Sequence, residues 1–226
     1  MTRNYYRRKN RRNYRKKAKP RGRMEIYGDA GSQLWRDVKY LKGLVNVETK
    51  FVSTSYGNTT VSDTAWQNKY ISGLAQGDQY YERNGNTVRV KGISANIKVN
   101  NLGSGNTSQT VRLLLVRESA PRGAAPSMSE IMVTPASGNL VLSKYNPLEM
   151  TGYSILLDKK FTVTKEMGAI YETVYKKCDF HMEYDGTGST IGNQTKCSLY
   201  WFFVSDQPTT NRPEITIESR VNYIDN

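Results

Sequence analysis

The sequence predicts an all-β protein: a single eight-stranded antiparallel jelly roll of two packed four-stranded sheets, with short helices in the N-terminal segment and in one loop, preceded by a disordered basic arm. Three observations predict this class. Eight short β-like runs are separated by clusters of Gly, Asn, Ser and Thr, which favour turns. The 226 residues suffice for one domain with a full core and a short extension. The net charge of +13 is concentrated at the N-terminus.

The basic arm, residues 1–23, contains twelve cationic side chains, three tyrosines and no acidic residue. Removing these twelve from the 33 Lys and Arg leaves 21 against all 20 Asp and Glu, so residues 24–226 carry a net charge of only +1. Because the arm has little apolar surface to bury, we predict that it is disordered when free. Its cations are Arg3, Arg7, Arg8, Lys9, Arg11, Arg12, Arg15, Lys16, Lys17, Lys19, Arg21 and Arg23, and its tyrosines are Tyr5, Tyr6 and Tyr14.

This composition predicts an arm that binds single-stranded nucleic acid. Counterion release drives such binding, and affinity falls by roughly 0.7 log units per log unit of salt for each phosphate neutralised. Arginine forks match phosphate oxygens, and each tyrosine can stack on an unpaired base for about 1–3 kcal/mol. The simpler interpretation, a nuclear localisation signal alone, needs only a handful of cations, and both roles can coexist in one arm.

Residues 24–45 are predicted to form a linker with a short amphipathic helix. From about Ser32, apolar residues recur at i, i+4, i+7 and i+11, which places them on one helical face. These residues are Leu34, Val38, Leu41 and Val45.

Residues 46–226 are predicted to form the jelly-roll shell domain. In the last run, alternate positions from Ile215 to Tyr223 are mostly apolar, which is typical of a strand with one buried face. The third run changes the parity of its apolar positions at Gly92, which predicts a β-bulge there. VRLLLV (111–116) and LYWFFV (199–204) do not alternate, so both of their faces should be covered. The runs lie at roughly 46–54, 62–72, 87–99, 110–117, 153–164, 174–184, 196–205 and 214–224.

A short helix is predicted in the long connection between the fourth and fifth runs. Ser127 and Glu130 form an S-x-x-E capping box, and Pro135 ends the helix near Val133. Eight antiparallel runs with long, decorated connections fit a jelly roll. The structural alternative is an immunoglobulin-like sandwich, which needs about seven strands and gives no reason for a loop that carries a helix.

The sequence contains no catalytic pattern. His181 is the only histidine, no second His or Cys stands at metal-ligand spacing, and phosphate-loop and nucleophile-elbow motifs are absent. We therefore predict a non-enzymatic protein that requires no cofactor. Cys178 and Cys197 belong to no metal or redox motif, which predicts two buried, inert thiols in a reducing setting. The lack of a long apolar run and of a signal peptide predicts a soluble protein that does not insert into membranes.

Three stretches carry motifs in a fixed order over about half the chain. GLAQGDQYYERNGNTVRVKGISANIKV (73–99) contains QGD…R.G..VRV, TVRLLLVRESAPRGAAPSMSEIM (110–132) contains R-x-x-x-P-x-x-x-E-[IV], and SKYNPLEMTGYSILLDKKFTV (143–163) contains YNP. The ordered set resembles the capsid proteins of satellite tobacco necrosis virus and of the circular Rep-encoding single-stranded DNA viruses. The resemblance implies a capsid protein that self-assembles into a small icosahedral virion shell of about sixty copies (T=1), with the basic arm inside.

The resemblance also implies partners. The chain would bind copies of itself, a single-stranded genome, nuclear import receptors and a host cell-surface receptor. Tyrosines among Arg/Lys clusters resemble the circular DNA viruses, so we expect a DNA genome and assembly in the host nucleus; the alternative is a satellite virus that packages RNA in the host cytoplasm. Some satellite-type capsids bind calcium between subunits through carboxylates. Glu48 and Asp225 match such positions, and the alternative is that both are ordinary surface acids.

The sequence leaves two other functions open. A cellular nucleic-acid-binding protein with a β-sandwich head would need a basic patch on that head, which instead is nearly neutral. An enzyme on a cupin-like jelly roll would need a cluster of histidines and carboxylates, and one histidine does not supply it. The capsid function is therefore favoured.

Overall fold

The computed structural model describes residues 24–44, 48–102, 108–148, 150–208 and 212–225. The chain divides into two units, Met1–Asn46 and Val47–Asn226. The described part of the first unit is one helix, α1 (Met24–Leu44). The predicted helix is confirmed, but it begins well before Ser32 and is longer than expected, because Met24, Glu25 and Ala30 are good helix formers outside the apolar repeat.

The described residues of the second unit form eleven β-strands, eight of which coincide with the eight predicted runs. The other three have only two or three residues and decorate loops. The bounds are β1 (Thr49–Thr60), β2 (Gln67–Tyr70), β3 (Thr87–Asn100), β4 (Gln109–Glu118), β5 (Met132–Val133), β6 (Lys144–Tyr145), β7 (Tyr153–Val163), β8 (Ala169–Tyr184), β9 (Gln194–Lys196), β10 (Ser198–Ser205) and β11 (Glu214–Asp225).

The strands form two larger antiparallel sheets. Sheet A has the order β1-β11-β3-β8-β9, and sheet B has the order β2-β10-β4-β7. Among the eight main strands the pairing is nested: β1 with β11, β2 with β10, β3 with β8, and β4 with β7. One long hairpin rolled up on itself gives this nesting, which is that of a jelly roll. The predicted jelly-roll class is confirmed, and the immunoglobulin-like alternative, whose strand order differs, is wrong. The prediction of two four-stranded sheets holds for sheet B only, because the short strand β9 adds a fifth strand to sheet A.

The β-bulge predicted at Gly92 is present. The register of β3 against β8 shifts between Val90 and Gly92, and its register against β11 shifts opposite Asn222 and Tyr223. A Cβ at Gly92 would lie 2.5 Å from the hydroxyl of Tyr175, so glycine leaves the room that this ring occupies. The bulge lets the apolar positions on both of its sides face the same core.

The main core lies between sheets A and B. β4 and β10 are the central strands of sheet B and are buried along almost their whole length, as their uninterrupted apolar runs predicted. Trp201 and Phe203 belong to the core between the sheets, whereas Tyr200 and Phe202 belong to a second apolar cluster. Trp201 Nε1 also donates to Ser219 Oγ on β11 (2.7 Å), which joins the two sheets by a buried hydrogen bond.

The connection from β4 to β7 contributes to the second cluster through Ile131 and Met132. The helix predicted there is only one turn, α2 (Met128–Ile131), and its chain continues directly into β5, which pairs with β6. The backbone therefore leaves the helix because a strand pairing takes over its next residues.

The predicted capping box is wrong. Ser127 precedes α2, but its side chain makes no cap hydrogen bond and instead contacts the hydroxyl of Ser129. Glu130 binds Arg122 and the hydroxyl of Tyr153. A charge-assisted pair of this kind is stronger than a bond to one backbone amide, so it determines the direction of the Glu130 side chain.

Candidate nucleic-acid interface and subunit surfaces

The arm predicted to bind nucleic acid precedes α1 in the chain. Its fifteen predicted contact residues, from Arg3 to Arg23, lie outside the residues that the structure describes, and so they stay a prediction. In the described body, eight cations already form ion pairs with carboxylates. Part of the positive charge of the body is therefore neutralised internally.

Helix α1 exposes large apolar side chains. Leu34, Trp35, Tyr40 and Leu41 are 59–68% exposed, and Val38 is only partly buried. Three of the four residues of the predicted apolar face thus lie on the helix, and Val45 lies outside the described residues. Exposed apolar surface of this kind is typical of contact with another molecule.

A buried lysine joins β1 to β11, which are neighbours in sheet A and are the first and last strands along the chain. Lys50 on β1 is 1% exposed, and its Nζ lies 3.1 Å from Asn84 Oδ1 and 3.4 Å from Asp225 Oδ2. Glu48 Oε2 lies 3.9 Å from the same Nζ, so both predicted calcium ligands face one ammonium. The backbone N–H of Asn84 also donates to Asp225 Oδ2 (2.6 Å).

The sequence did contain a signal for Lys50. Lys50 stands an even number of residues from Val52 and Tyr56, which pack against the main core. Because side chains alternate between the two faces of a strand, this lysine lies on the inward face of β1. A lysine at an inward position is almost never fully buried unless it is paired, which predicts a partner carboxylate.

The residues around Lys50 do not fit a calcium ion within one subunit. The ammonium already lies near both carboxylates and offsets their charge. Calcium takes six to eight oxygen ligands, and the described residues contain no group of three or more His, Cys, Asp or Glu side chains that could hold a metal. Calcium bound between subunits by Glu48 and Asp225 stays a prediction.

The QGD…R.G..VRV motif builds the turn that leads into β3. Arg83 is completely buried, and its guanidinium donates to Leu74 O (3.2 Å), Gly85 O (2.6 Å), Asn86 Oδ1 (3.1 Å) and Gly186 O. Four acceptors satisfy most of the five donors of this side chain. The motif therefore has a structural role, which is to fix two loops at one end of sheet A.

The YNP motif fixes the loop that covers sheet B. Tyr145 Oη donates to Asp158 Oδ2 (2.5 Å), and Arg112 donates to both oxygens of the same carboxylate (3.0 and 2.6 Å). Asn146 Nδ2 donates to Ser129 O (3.1 Å), which holds the loop on α2. The Arg112 guanidinium and the Tyr145 hydroxyl lower the pKa of Asp158 although its partial burial opposes the shift.

Glu118, at the end of β4, is a buried carboxylate beside the Arg122–Glu130 pair. It is 2% exposed, and Ser198 Oγ donates to its Oε2 (3.0 Å). Its Oε1 accepts no hydrogen bond from a described residue and lies 4.0 Å from Arg122 Nε. Burial raises the pKa of Glu118, and the charge of Glu130 acts in the same direction. The folded chain thus holds the proton of this carboxyl more tightly than the unfolded chain does.

The remaining candidates for chemistry are a histidine and two cysteines. His181 is exposed on β8, opposite Arg89 of β3. Cys178 and Cys197 are buried and free, as predicted, and burial raises the pKa of both thiols. A raised pKa disfavours the reactive thiolate. No helix in the described part of the chain is long and apolar enough to cross a membrane.

The sequence matches one protein family over most of its length. The profile of the family described as satellite tobacco necrosis virus coat protein matches residues 30–226. The capsid protein of Satellite tobacco necrosis virus 1 is 26% identical over 133 residues, which are 58% of this chain and 61% of that protein. The match thus spans less than two thirds of the length of that relative.

Solved structures of viral particles and capsid proteins are also similar. The structure of Desmodium yellow mottle tymovirus is 10% identical and covers 80% of this chain and 90% of its own, with a TM-score of 0.32. The 60-mer of the BFDV capsid protein is 9% identical and covers 80% of this chain and 94% of its own, with a TM-score of 0.33. Both likenesses are weak, so the fold assignment rests on the nested strand order.

Proposed function

The chain belongs to the satellite tobacco necrosis virus coat protein family, and from that premise we propose that it assembles into a closed icosahedral shell around a single-stranded genome. A viral coat protein is a structural component of the virion. The predictions of a capsid function and of a non-enzymatic role are therefore confirmed by the family, while the genome, the copy number and the partners are proposals.

The observation that carries the proposal is the separation of charge along the chain. Twelve cations stand in residues 1–23, whereas residues 24–226 have a net charge of +1. A nearly neutral body can pack against copies of itself without strong repulsion, and a polycationic arm can condense phosphates. This division suits a protein that must do both at once.

Self-association is supported by the apolar side chains that α1 exposes. We propose that they pack against neighbouring copies in the shell, where their burial would favour assembly by about 25 cal/mol per Å² of apolar area. In a shell of about sixty copies, the arms would bring about 720 cations to the genome, enough to neutralise a large part of a short nucleic acid, with mobile ions supplying the rest.

The kind of nucleic acid has two candidates. Tyr5, Tyr6 and Tyr14 among Arg/Lys clusters resemble the circular single-stranded DNA viruses, which supports DNA and assembly in the host nucleus, with the arm also read by nuclear import receptors. The family match to a satellite virus coat protein favours the alternative, single-stranded RNA packaged in the host cytoplasm. Digestion of extracted particle nucleic acid by DNase or by RNase distinguishes the two. Exposed shell loops would meet a host cell-surface receptor.

Assembly itself is tested on the purified full-length protein. Light scattering and electron microscopy, across a range of salt concentrations and with single-stranded nucleic acid added, should reveal closed particles of uniform diameter. A protein that stays monomeric under all of these conditions would overturn the proposal.

A further inference from the structure

The two sheets differ in what covers their outer faces. On sheet B, the loop residues Ile131 and Met132 pack against Leu114, Val116, Tyr200 and Phe202. On sheet A, the outward positions of β8 carry two strongly exposed tyrosines, Tyr171 (73%) and Tyr175 (66%). Exposed aromatic rings on an open sheet are a ready platform for stacking.

The strand register arranges the outer face of sheet A in transverse rows. One row runs across all four main strands, and a second lies four residues further along. The first row contains Ser53, Arg220, Ser94 and Tyr175, and the second contains Thr216, Lys98 and Tyr171. Each row thus combines one cation with one tyrosine, and four residues of strand separate the rows by about 13 Å.

Two acidic side chains on this face are ion-paired, Asp179 with Arg89 and Lys91, and Glu183 with Lys196. Glu214 and Glu218 accept hydrogen bonds from the neutral side chains of Asn100 and Ser55, so both keep their negative charge. Lys98, Lys177 and Arg220 form no ion pair with any described residue. These three cations outnumber the two carboxylates, so the face offers a small excess of positive charge to a ligand.

The surface between the two rows is grooved. Two open grooves, of about 270 and 460 Å³, share Asn96 and Glu218 in their lining. Lys98 Nζ lies 5.6 Å from the ring centroid of Tyr171, so a base stacked on this ring would have a cation beside it. Two acids line the grooves: Glu172, which is ion-paired with Lys159, and Glu218, which would oppose a phosphate between the rows.

We propose that the outer face of sheet A is a second site for single-stranded nucleic acid, in which Tyr171 and Tyr175 stack on bases while Lys98 and Arg220 bind phosphates. The proposal rests on the proposed packaging function and deepens it, because it identifies the outer face of sheet A as the side of the shell domain that contacts the genome. Hydroxyl and amide groups surround the tyrosines, whereas the centre of a contact between copies of a chain is usually more apolar. Nucleic acid is therefore favoured over a second copy as the occupant.

The site is tested by photocrosslinking of the full-length protein. An oligothymidylate that carries 5-iodouracil is bound and irradiated, and the crosslinked peptides are identified by mass spectrometry. Crosslinks at Tyr171 and Tyr175, in addition to the arm, are expected. Crosslinks confined to residues 1–23 would overturn the second site alone. Absence of any crosslink in the whole chain would overturn the packaging function as well.

Variants give an independent measure. Lys98→Gln combined with Arg220→Gln should lower the slope of log affinity against log salt by roughly 1.4, since two phosphate contacts are lost. Tyr171→Ala with Tyr175→Ala should weaken binding about thirtyfold or more, since each lost ring costs at least about 1 kcal/mol. Glu218→Gln should tighten binding because it removes the opposing charge.

The control variants are Tyr81→Ala and Lys144→Gln, which alter exposed residues elsewhere on the protein. They should leave the affinity and its salt dependence unchanged. Equal effects of the control variants and of the variants on sheet A would overturn the site.

Discussion

Lys50 Nζ lies 3.4 Å from Asp225 Oδ2, and this ion pair joins strands whose residues stand 175 positions apart in the sequence. Lys50 is 1% exposed and the Asp225 side chain is 9% exposed, so both charges are largely withdrawn from water. The pair lies where β1 meets β11, the outermost pairing of the nested hairpin. It therefore closes the jelly roll at the strands that are farthest apart in the chain.

Replacing Lys50 by Met should destabilise the shell domain by about 3–5 kcal/mol, because it leaves the Asp225 carboxylate buried without its counter-charge. Urea unfolding followed by tryptophan fluorescence measures the change. Lys144→Met, at an exposed position, is the matched control and should stay within about 0.5 kcal/mol. Equal stability of the two variants would contradict the role assigned to the pair.

Calcium chelation should leave the thermal stability of the unassembled subunit unchanged, because the Lys50 ammonium already offsets Glu48 and Asp225 within it. Thermal unfolding of subunits and of assembled particles, each in EDTA and in added calcium, measures this. A calcium-dependent rise in the melting temperature that disappears in Glu48→Gln would instead establish an ion between subunits. The control is Glu166→Gln, an exposed acid far along the sequence.

Removing the hydrogen bond between the sheets should cost about 1–3 kcal/mol. Ser219→Ala leaves the buried indole N–H of Trp201 without its acceptor, and a buried donor without a partner is penalised by its lost hydration. Ser189→Ala, at an exposed serine, should have almost no effect in the same urea titration. A midpoint for Ser219→Ala that matches this control would show that the bond does not stabilise the fold.

Glu118 should make the fold less stable as the pH rises. Burial raises the pKa of this carboxyl in the folded chain, so the folded state holds its proton more tightly than the unfolded state does. The stability linked to that proton is present below the unfolded pKa and is lost as the pH rises through the folded one. Glu118→Gln should remove this loss and leave Arg122, Glu130, Ser198 and Tyr200 in place.

Urea unfolding of the wild type and of Glu118→Gln between about pH 4 and pH 8 measures the effect. The difference in stability should shift in favour of the variant as the pH increases. A difference that is constant across this range would contradict the assigned pKa direction. Glu166→Gln serves again as the exposed control.

Most of the strand framework could be predicted because alternation and turn composition are local properties. The bulge at Gly92 and the fully buried β4 and β10 were visible in the parity of apolar residues alone. The length of α2 was not, because the pairing of Met132–Val133 with Lys144–Tyr145 overrides the local helix signal. The predicted capping box is absent for a similar reason, because Arg122 and Tyr153, which lie outside it, bind the Glu130 carboxylate.

One candidate site could be predicted from the sequence, whereas the others depend on contacts that only the fold creates. The arm is a property of composition, so its residues could be named from the sequence. The environment of Lys50 depends on Asn84 and Asp225, which only the closed fold brings together. The rows of sheet A likewise need the register of four strands, so Tyr171 and Tyr175 gave no signal when each strand was considered alone.

Packaging should depend on the arm, whereas shell assembly should not. The most direct measurement compares nuclease-protected nucleic acid per particle for the full chain, for a deletion of residues 1–23, and for a chain in which those residues are shuffled at constant composition. The deletion should still form shells of the same diameter but lose most of the protected nucleic acid, and the shuffled arm should retain it, because electrostatic binding does not depend on residue order. Full packaging by the deletion variant, or its failure to form any shell, would contradict the account.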